Sequence, residues 1–217
     1  MPTRDVHLFI FDSLSDWEPA YAVAGINTPQ LQKRPGRYEV RTVGLSKAPV
    51  LSAGGLRIQP DIALDSLPYD EQQTLILPGG SSWDQGHNMA AVEAAKKMLQ
   101  AGGSVAAICG ATAGLARGGL LDDKCHTSNA REYLAATRYR GGALYQDEPA
   151  VTDGRLITAA AMAPVDFAVH IFRHLDLYTP RVTEAWYRLF KTGDPKYFAA
   201  LMDAAQELPL DAPRQSH

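Results

Sequence analysis

The chain has 217 residues, 21 Lys and Arg against 24 Asp and Glu, a net charge of −3 and 46% hydrophobic residues. That length gives one domain, or one with a small addition, and buries roughly 70% of the unfolded surface, so folding needs neither metal nor disulfide. Balanced charge excludes a nucleic-acid binder working through a basic face, the hydrophobic share excludes a disordered chain, and no apolar run reaches the roughly 18 residues of a membrane span.

The opening MPTRDVHLFIF holds an apolar run that stops at Asp12, too short for a signal peptide. It reads instead as a first strand over residues 6–11. Without an export signal, Cys109 and Cys125 read as reduced thiols in a cytoplasmic protein. Residues 17–33 have the spacing of a helix, with Ser15 or Asp16 as its cap. YEVRTVG at 38–44 is a second strand, and 50–62, with its Gly-Gly turn, reads as a hairpin. TLILPGG at 74–80 is a buried strand that ends in a glycine pair. MAAVEAAKKMLQA at 89–101 is a helix closed by Gly102 and Gly103. SVAAIC at 104–109 is another buried strand, followed at once by the small residues GATAGLARGG. A helical segment near 129–136, capped by Ser128 or Asn129, comes next. It is followed by an Asp153-Gly154 hairpin over 149–159, a helix over 163–177 and two further helices near 181–191 and 195–206. The tail LPLDAPRQSH reads as a frayed end.

Continuous apolar strands alternating with amphipathic helices predict an α/β fold: a mostly parallel sheet covered on both faces. Ligands bind such sheets beyond the carboxyl ends of the strands. That directs attention to residues 12–18, 78–83 and 109–112.

Four features there carry chemistry. Cys109 ends a buried strand and is followed by Gly110, Ala111 and Thr112, the pattern of a nucleophile elbow. The next helix points its N-terminus at the sulfur, which favours thiolate. The plainer reading is a small core cysteine. Glu18 follows the first strand between Trp17 and Pro19. Read plainly it is a helix-start carboxylate. Read functionally it is a carboxyl with a raised pKa beside Trp17, able to donate to the thiolate and to act as general acid or base. Gly79 and Gly80 permit close backbone approach and, with Gly110, could supply oxyanion donors; a simple turn explains them as well. His126 lies 17 positions after Cys109 and is either its base or a loop histidine. His170 and His174 share a helix face without an HExxH pattern, and two distant cysteines make no CxxC motif, so no metal or other cofactor is expected.

Taken together, Glu18, LPGG, AICGAT and HTSN resemble the ThiJ/PfpI superfamily from the first strand to about residue 178. The resemblance implies a class I glutamine-amidotransferase-like, flavodoxin-like three-layer α/β/α sandwich over 1–178. Residues 179–217 would form a helical extension packed on the core or on a dimer partner. It implies a cysteine-centred site with a partner glutamate, a small-molecule substrate and a homodimer. Family activities include glutathione-independent glyoxalases, deglycases, intracellular proteases or amidases, isonitrile hydratases and stress-linked chaperones, and the fold does not choose among them. Gly110 stands where protease-like members, and some glyoxalases, have a histidine next to the nucleophile. The glyoxalases similar to the human Parkinson-associated member use a Glu, a Cys and a later His, a set that Glu18, Cys109 and His126 match. Isonitrile hydratases carry Asp and Thr where Glu18 and Gly110 stand, which ranks that reading lower. The leading expectation is therefore a glyoxalase- or deglycase-like enzyme with Cys109 as nucleophile. The alternatives are an amide hydrolase and a redox-sensing stress protein without a substrate.

Overall fold

The computed structural model describes residues 3–207; the tail read as a frayed end lies outside these. Among the described residues nine strands form: β1 (Arg4–Phe9), β2 (Tyr38–Gly44), β3 (Val50–Leu51), β4 (Arg57–Ile58), β5 (Ile62–Ala63), β6 (Thr74–Leu77), β7 (Ser104–Ile108), β8 (Ala150–Asp153) and β9 (Leu156–Ala159). Seven helices accompany them: α1 (Trp17–Asn27), α2 (Met89–Gln100), α3 (Gly110–Arg117), α4 (Arg131–Ala135), α5 (Pro164–His174), α6 (Pro180–Thr192) and α7 (Lys196–Gln206). The main sheet runs β5-β2-β1-β6-β7-β9-β8, parallel except for edge strand β8, while β3 and β4 pair separately.

The order reverses at β1. From there the chain moves outward to β2, then returns to β6 on the other side and continues to β7. Right-handed crossovers put helices on opposite faces when the direction reverses, so α1 pairs with α5 on one face and α2 with α3 on the other. This is the expected three-layer sandwich. The strand ends next to the reversal open the crevice where such sheets bind ligands. The fully buried stretches TLIL of β6 and SVAAI of β7 form the floor of that crevice.

Several boundaries depart from expectation for local reasons. The helix expected over 17–33 stops at Asn27, because Pro29 forces Thr28 into extended backbone and a short 3₁₀ turn follows. The hairpin expected over 50–62 closes at Ile58, and Ile62–Ala63 joins the main sheet beside β2 instead. Neither expected cap forms. Asp16 accepts from Gly54 N–H at 2.7 Å, which ties the β3–β4 hairpin to the start of α1. Ser128 and Asn129 turn their side chains away from α4.

At the C-terminal end, Thr179 caps α6 and Gly193 closes it in the left-handed conformation. Trp186 packs edge-on against Phe172 of α5. Tyr187 and Lys191 both donate to buried Asp166, at 2.9 and 2.6 Å. Among the described residues no helix is long and apolar enough to cross a membrane.

Candidate active site

Cys109 is the turn between β7 and α3, with φ 58° and ψ −127°. A non-glycine residue held there costs about 1–3 kcal/mol, so its surroundings must impose it. Three bonds do so. Cys109 N–H donates to Ala159 O at 3.0 Å, while Thr112 donates to Cys109 O through N–H (3.1 Å) and Oγ1 (2.6 Å). The small residues after the cysteine have a second cause. A Cβ on Gly114 would lie 2.5 Å from the fully buried Trp83 ring, so α3 can seat against that ring only with glycine there.

Glu18, 1% exposed, comes from the first turn of α1. Gly79 N–H donates to Glu18 Oε2 at 2.6 Å; Ser15 and the Cys109 thiol also bond the carboxyl. The closeness is written in Gly79: a Cβ there would lie 2.5 Å from Glu18 Oε2, 2.6 Å from Cys109 Cβ and 2.9 Å from Cys109 Sγ. Trp17, expected to supply Glu18 with an apolar wall, is 56% exposed. The carboxyl is buried beside Gly79 and Cys109 instead.

That desolvation pushes the Glu18 carboxyl above its usual range, against the pull of Gly79 N–H, the thiol and Ser15. The thiol moves opposite to the sequence expectation. Burial and then the Glu18 carboxylate push it up to about 11, outweighing Asn129 and Gly110 N–H, which pull it down. The helix N-terminus is present, but burial, reinforced by Glu18, outweighs it. The Cys109 thiol is thus hydrogen-bonded to a carboxyl placed to exchange a proton with it.

Of the glycines, Gly79 and Gly110 join Cys109 and Glu18. Gly80 stands beside them: its carbonyl lies 3.1 Å from where a Gly110 Cβ would be, and a Cβ of its own would meet Ser13 O at 2.6 Å. The structure does not bring His126 to the sulfur. Its ring is fully buried, with Nδ1–H donating to Lys124 O at 2.7 Å and Nε2 accepting from Tyr139 OH at 2.9 Å. Burial also holds its pKa below the usual value, so it is neutral. His126, expected as the base, thus has both ring nitrogens committed to Lys124 and Tyr139.

Sequence reasoning missed two neighbours. Asn129, considered only as a cap, places Nδ2 3.6 Å from Cys109 Sγ. Tyr133 of α4 lies within electrostatic reach of the sulfur and donates to Asp84 Oδ1 at 2.6 Å, joining α4 to the turn after β6. No periodicity marks these positions. Asn129 lies in the loop before α4, and Tyr133 lies within that short helix. Among the described residues, no group of three His, Cys, Asp or Glu side chains is placed to hold a metal ion.

Comparison with known proteins agrees with this architecture. The uncharacterized protease YoaZ of Bacillus subtilis is 40% identical over 206 residues, covering 94% of this chain and 98% of that protein. The crystal structure of the thiJ/pfpI family protein from Bacillus anthracis superposes with a TM-score of 0.88 at 40% identity, covering 94% of this chain and 98% of the other. The glutathione-independent glyoxalase DJR-1.2 of Caenorhabditis elegans is 28% identical over 145 residues, 65% of this chain and 75% of that protein. The sequence model of the DJ-1/PfpI family matches residues 4–174, and with that match over most of its length the chain belongs to the DJ-1/PfpI family.

Proposed function

We propose that this protein is a cysteine-dependent enzyme acting on small reactive carbonyl compounds, converting a dicarbonyl such as methylglyoxal to its hydroxy acid without glutathione. The observation that carries the reading is the Cys109 thiol, strained at the elbow and hydrogen-bonded to the buried Glu18 carboxyl. The similarity to a protein named a glutathione-independent glyoxalase agrees with it.

The steps balance with these groups alone. Glu18 takes the thiol proton as Sγ bonds to the aldehyde carbon and the carbonyl electron pair moves to oxygen. The N–H groups of Gly110 and Gly80 are the donors for that oxygen. Glu18 returns the proton, giving a hemithioacetal and regenerating the carboxylate. It then removes the carbon-bound hydrogen to form an enediolate, the hemithioacetal hydroxyl proton passes to the adjacent oxygen, and Glu18 delivers its proton to the adjacent carbon, leaving a thioester beside a new hydroxyl. Water cleaves the thioester to release the hydroxy acid and the thiol, so the sum is dicarbonyl plus water. Among the described residues, the side chains bonded to the Cys109 sulfur are Glu18 and Asn129, with no histidine. That favours carbonyl chemistry, in which one carboxyl shuttles protons, over the cysteine–histidine chemistry of a protease.

The test is incubation of the pure protein with methylglyoxal, without glutathione, followed by lactate measurement, with Cys109→Ala alongside. The wild type forms lactate and the variant none. Lactate from Cys109→Ala, or none from wild type, overturns the reading.

A further inference from the structure

Asn129 is held more firmly than a loop side chain needs to be. Its Oδ1 accepts from Ala161 N–H at 2.9 Å, which leaves Nδ2 as the end facing Cys109 Sγ at 3.6 Å. Each residue before it is also fastened. His126 is tied through its ring to Lys124 and Tyr139, and Thr127 N–H donates to Thr158 Oγ1 of β9 at 2.9 Å. Ser128 bonds Thr112 Oγ1 at 2.6 Å, and that same hydroxyl donates to Cys109 O. Because Cys109 N–H bonds Ala159 at the end of β9 and Asn129 bonds Ala161 just beyond it, one strand end fixes both the sulfur and the amide aimed at it.

We propose that Asn129 is a catalytic residue: its carboxamide N–H donates to Cys109 Sγ and steadies the negative charge that develops there as the thiol proton passes to Glu18. An amide does not titrate, so the sulfur has one ionising partner and one constant partner. Its reactivity then follows the Glu18–Cys109 pair alone across the physiological pH range. This inference rests on Cys109 being the nucleophile but not on which electrophile it attacks.

The test is the rate of Cys109 alkylation by iodoacetamide as a function of pH, with Cys109→Ala subtracting the contribution of Cys125. Asn129→Asp keeps an oxygen for Ala161 N–H but removes the donor and sets a second carboxylate on the sulfur. Alkylation at neutral pH should fall about tenfold or more, with the profile displaced to higher pH and the thermal midpoint close to wild type. Asn129→His replaces a constant donor with a titrating one and should add a limb near pH ~6.5 that the wild type lacks. Profiles for both variants that superpose on the wild type would overturn the proposal and leave Asn129 as a staple for Ala161. Altered profiles in a protein that forms no lactate would sustain it while removing the carbonyl reading, so the two fail separately.

Discussion

Gly79→Ala tests the geometry of the site most directly. The backbone at Gly79 carries no positive φ, so conformational freedom does not require glycine there. Space does. The added methyl would lie 2.5 Å from Glu18 Oε2, 2.6 Å from Cys109 Cβ and 2.9 Å from Cys109 Sγ, all inside van der Waals contact. Cys109 Cβ cannot yield, because its backbone is pinned by Ala159 and Thr112; Glu18 cannot yield without losing Gly79 N–H. Overpacking of this kind costs about 1–3 kcal/mol in stability. The loss of reactivity should be larger, since displacing a reacting pair by about 1 Å can cost ~100-fold in rate. Urea unfolding measures the first effect, and iodoacetamide alkylation with lactate formation the second. Gly142→Ala is the control, because a Cβ there meets nothing within 4 Å. A Gly79→Ala protein with wild-type unfolding midpoint and alkylation rate would refute the apposition of Glu18, Gly79 and Cys109.

Two further predictions concern pH. Glu18 is raised above its ordinary 4.5, chiefly by burial, so its ionised form costs folding free energy; that cost is absent below pH 4.5 and grows as pH rises through the folded value. Glu18→Gln should therefore raise the thermal midpoint at neutral pH and lose that advantage in acid. Turnover should collapse while the Cys109 profile moves down from about 11, because the neighbouring charge is gone; an upward move would place the resting proton on Glu18. His7, His126, His170 and His174 all have pKa values lowered, in each case first by burial, so folding favours their neutral forms. Their contribution is present above pH ~6.5 and is lost as pH falls, at about 1.4 kcal/mol per pH unit for each extra proton bound on unfolding. Urea midpoints that stay flat from neutral pH down to mild acid would contradict the buried-neutral assignment.

The fold was legible because its signals are local and repeat. The strand 38–44 was read to the residue, since a turn at Gly36 and the glycine at 44 bound a run rich in strand formers, Tyr38, Val40, Thr42 and Val43. The α2 helix was read nearly as well, with Ala91, Val92, Ala94, Ala95 and Met98 buried on one face and Gly102 ending it. The failures occur where a neighbour decides. Whether Ile62–Ala63 belongs to the hairpin or to the main sheet depends on β2 being free to accept it. Asp16 has the chemistry of a cap, and only the arrival of Gly54 from a distant hairpin turns it elsewhere.

The site shows the same division more sharply. Cys109, Glu18 and Gly79 could be found because each follows a strand, and adjacent parallel strands bring their ends together. His126 and Asn129 sit three residues apart in a segment with no period, so the sequence cannot say which of them faces the sulfur. The answer comes from two segments far along the chain. The backbone of His126 bridges to residues 144 and 146, and its ring is taken up by Lys124 and Tyr139, which turns it away. Ala161 takes the Asn129 oxygen and thereby aims its amide nitrogen at Sγ. An imidazole at the sulfur would make a second proton carrier and an ion-pair thiolate, as a protease requires. On the function proposed above, a carboxamide would leave every proton transfer to one buried carboxyl, which suits moving a hydrogen between adjacent carbons better than expelling an amine.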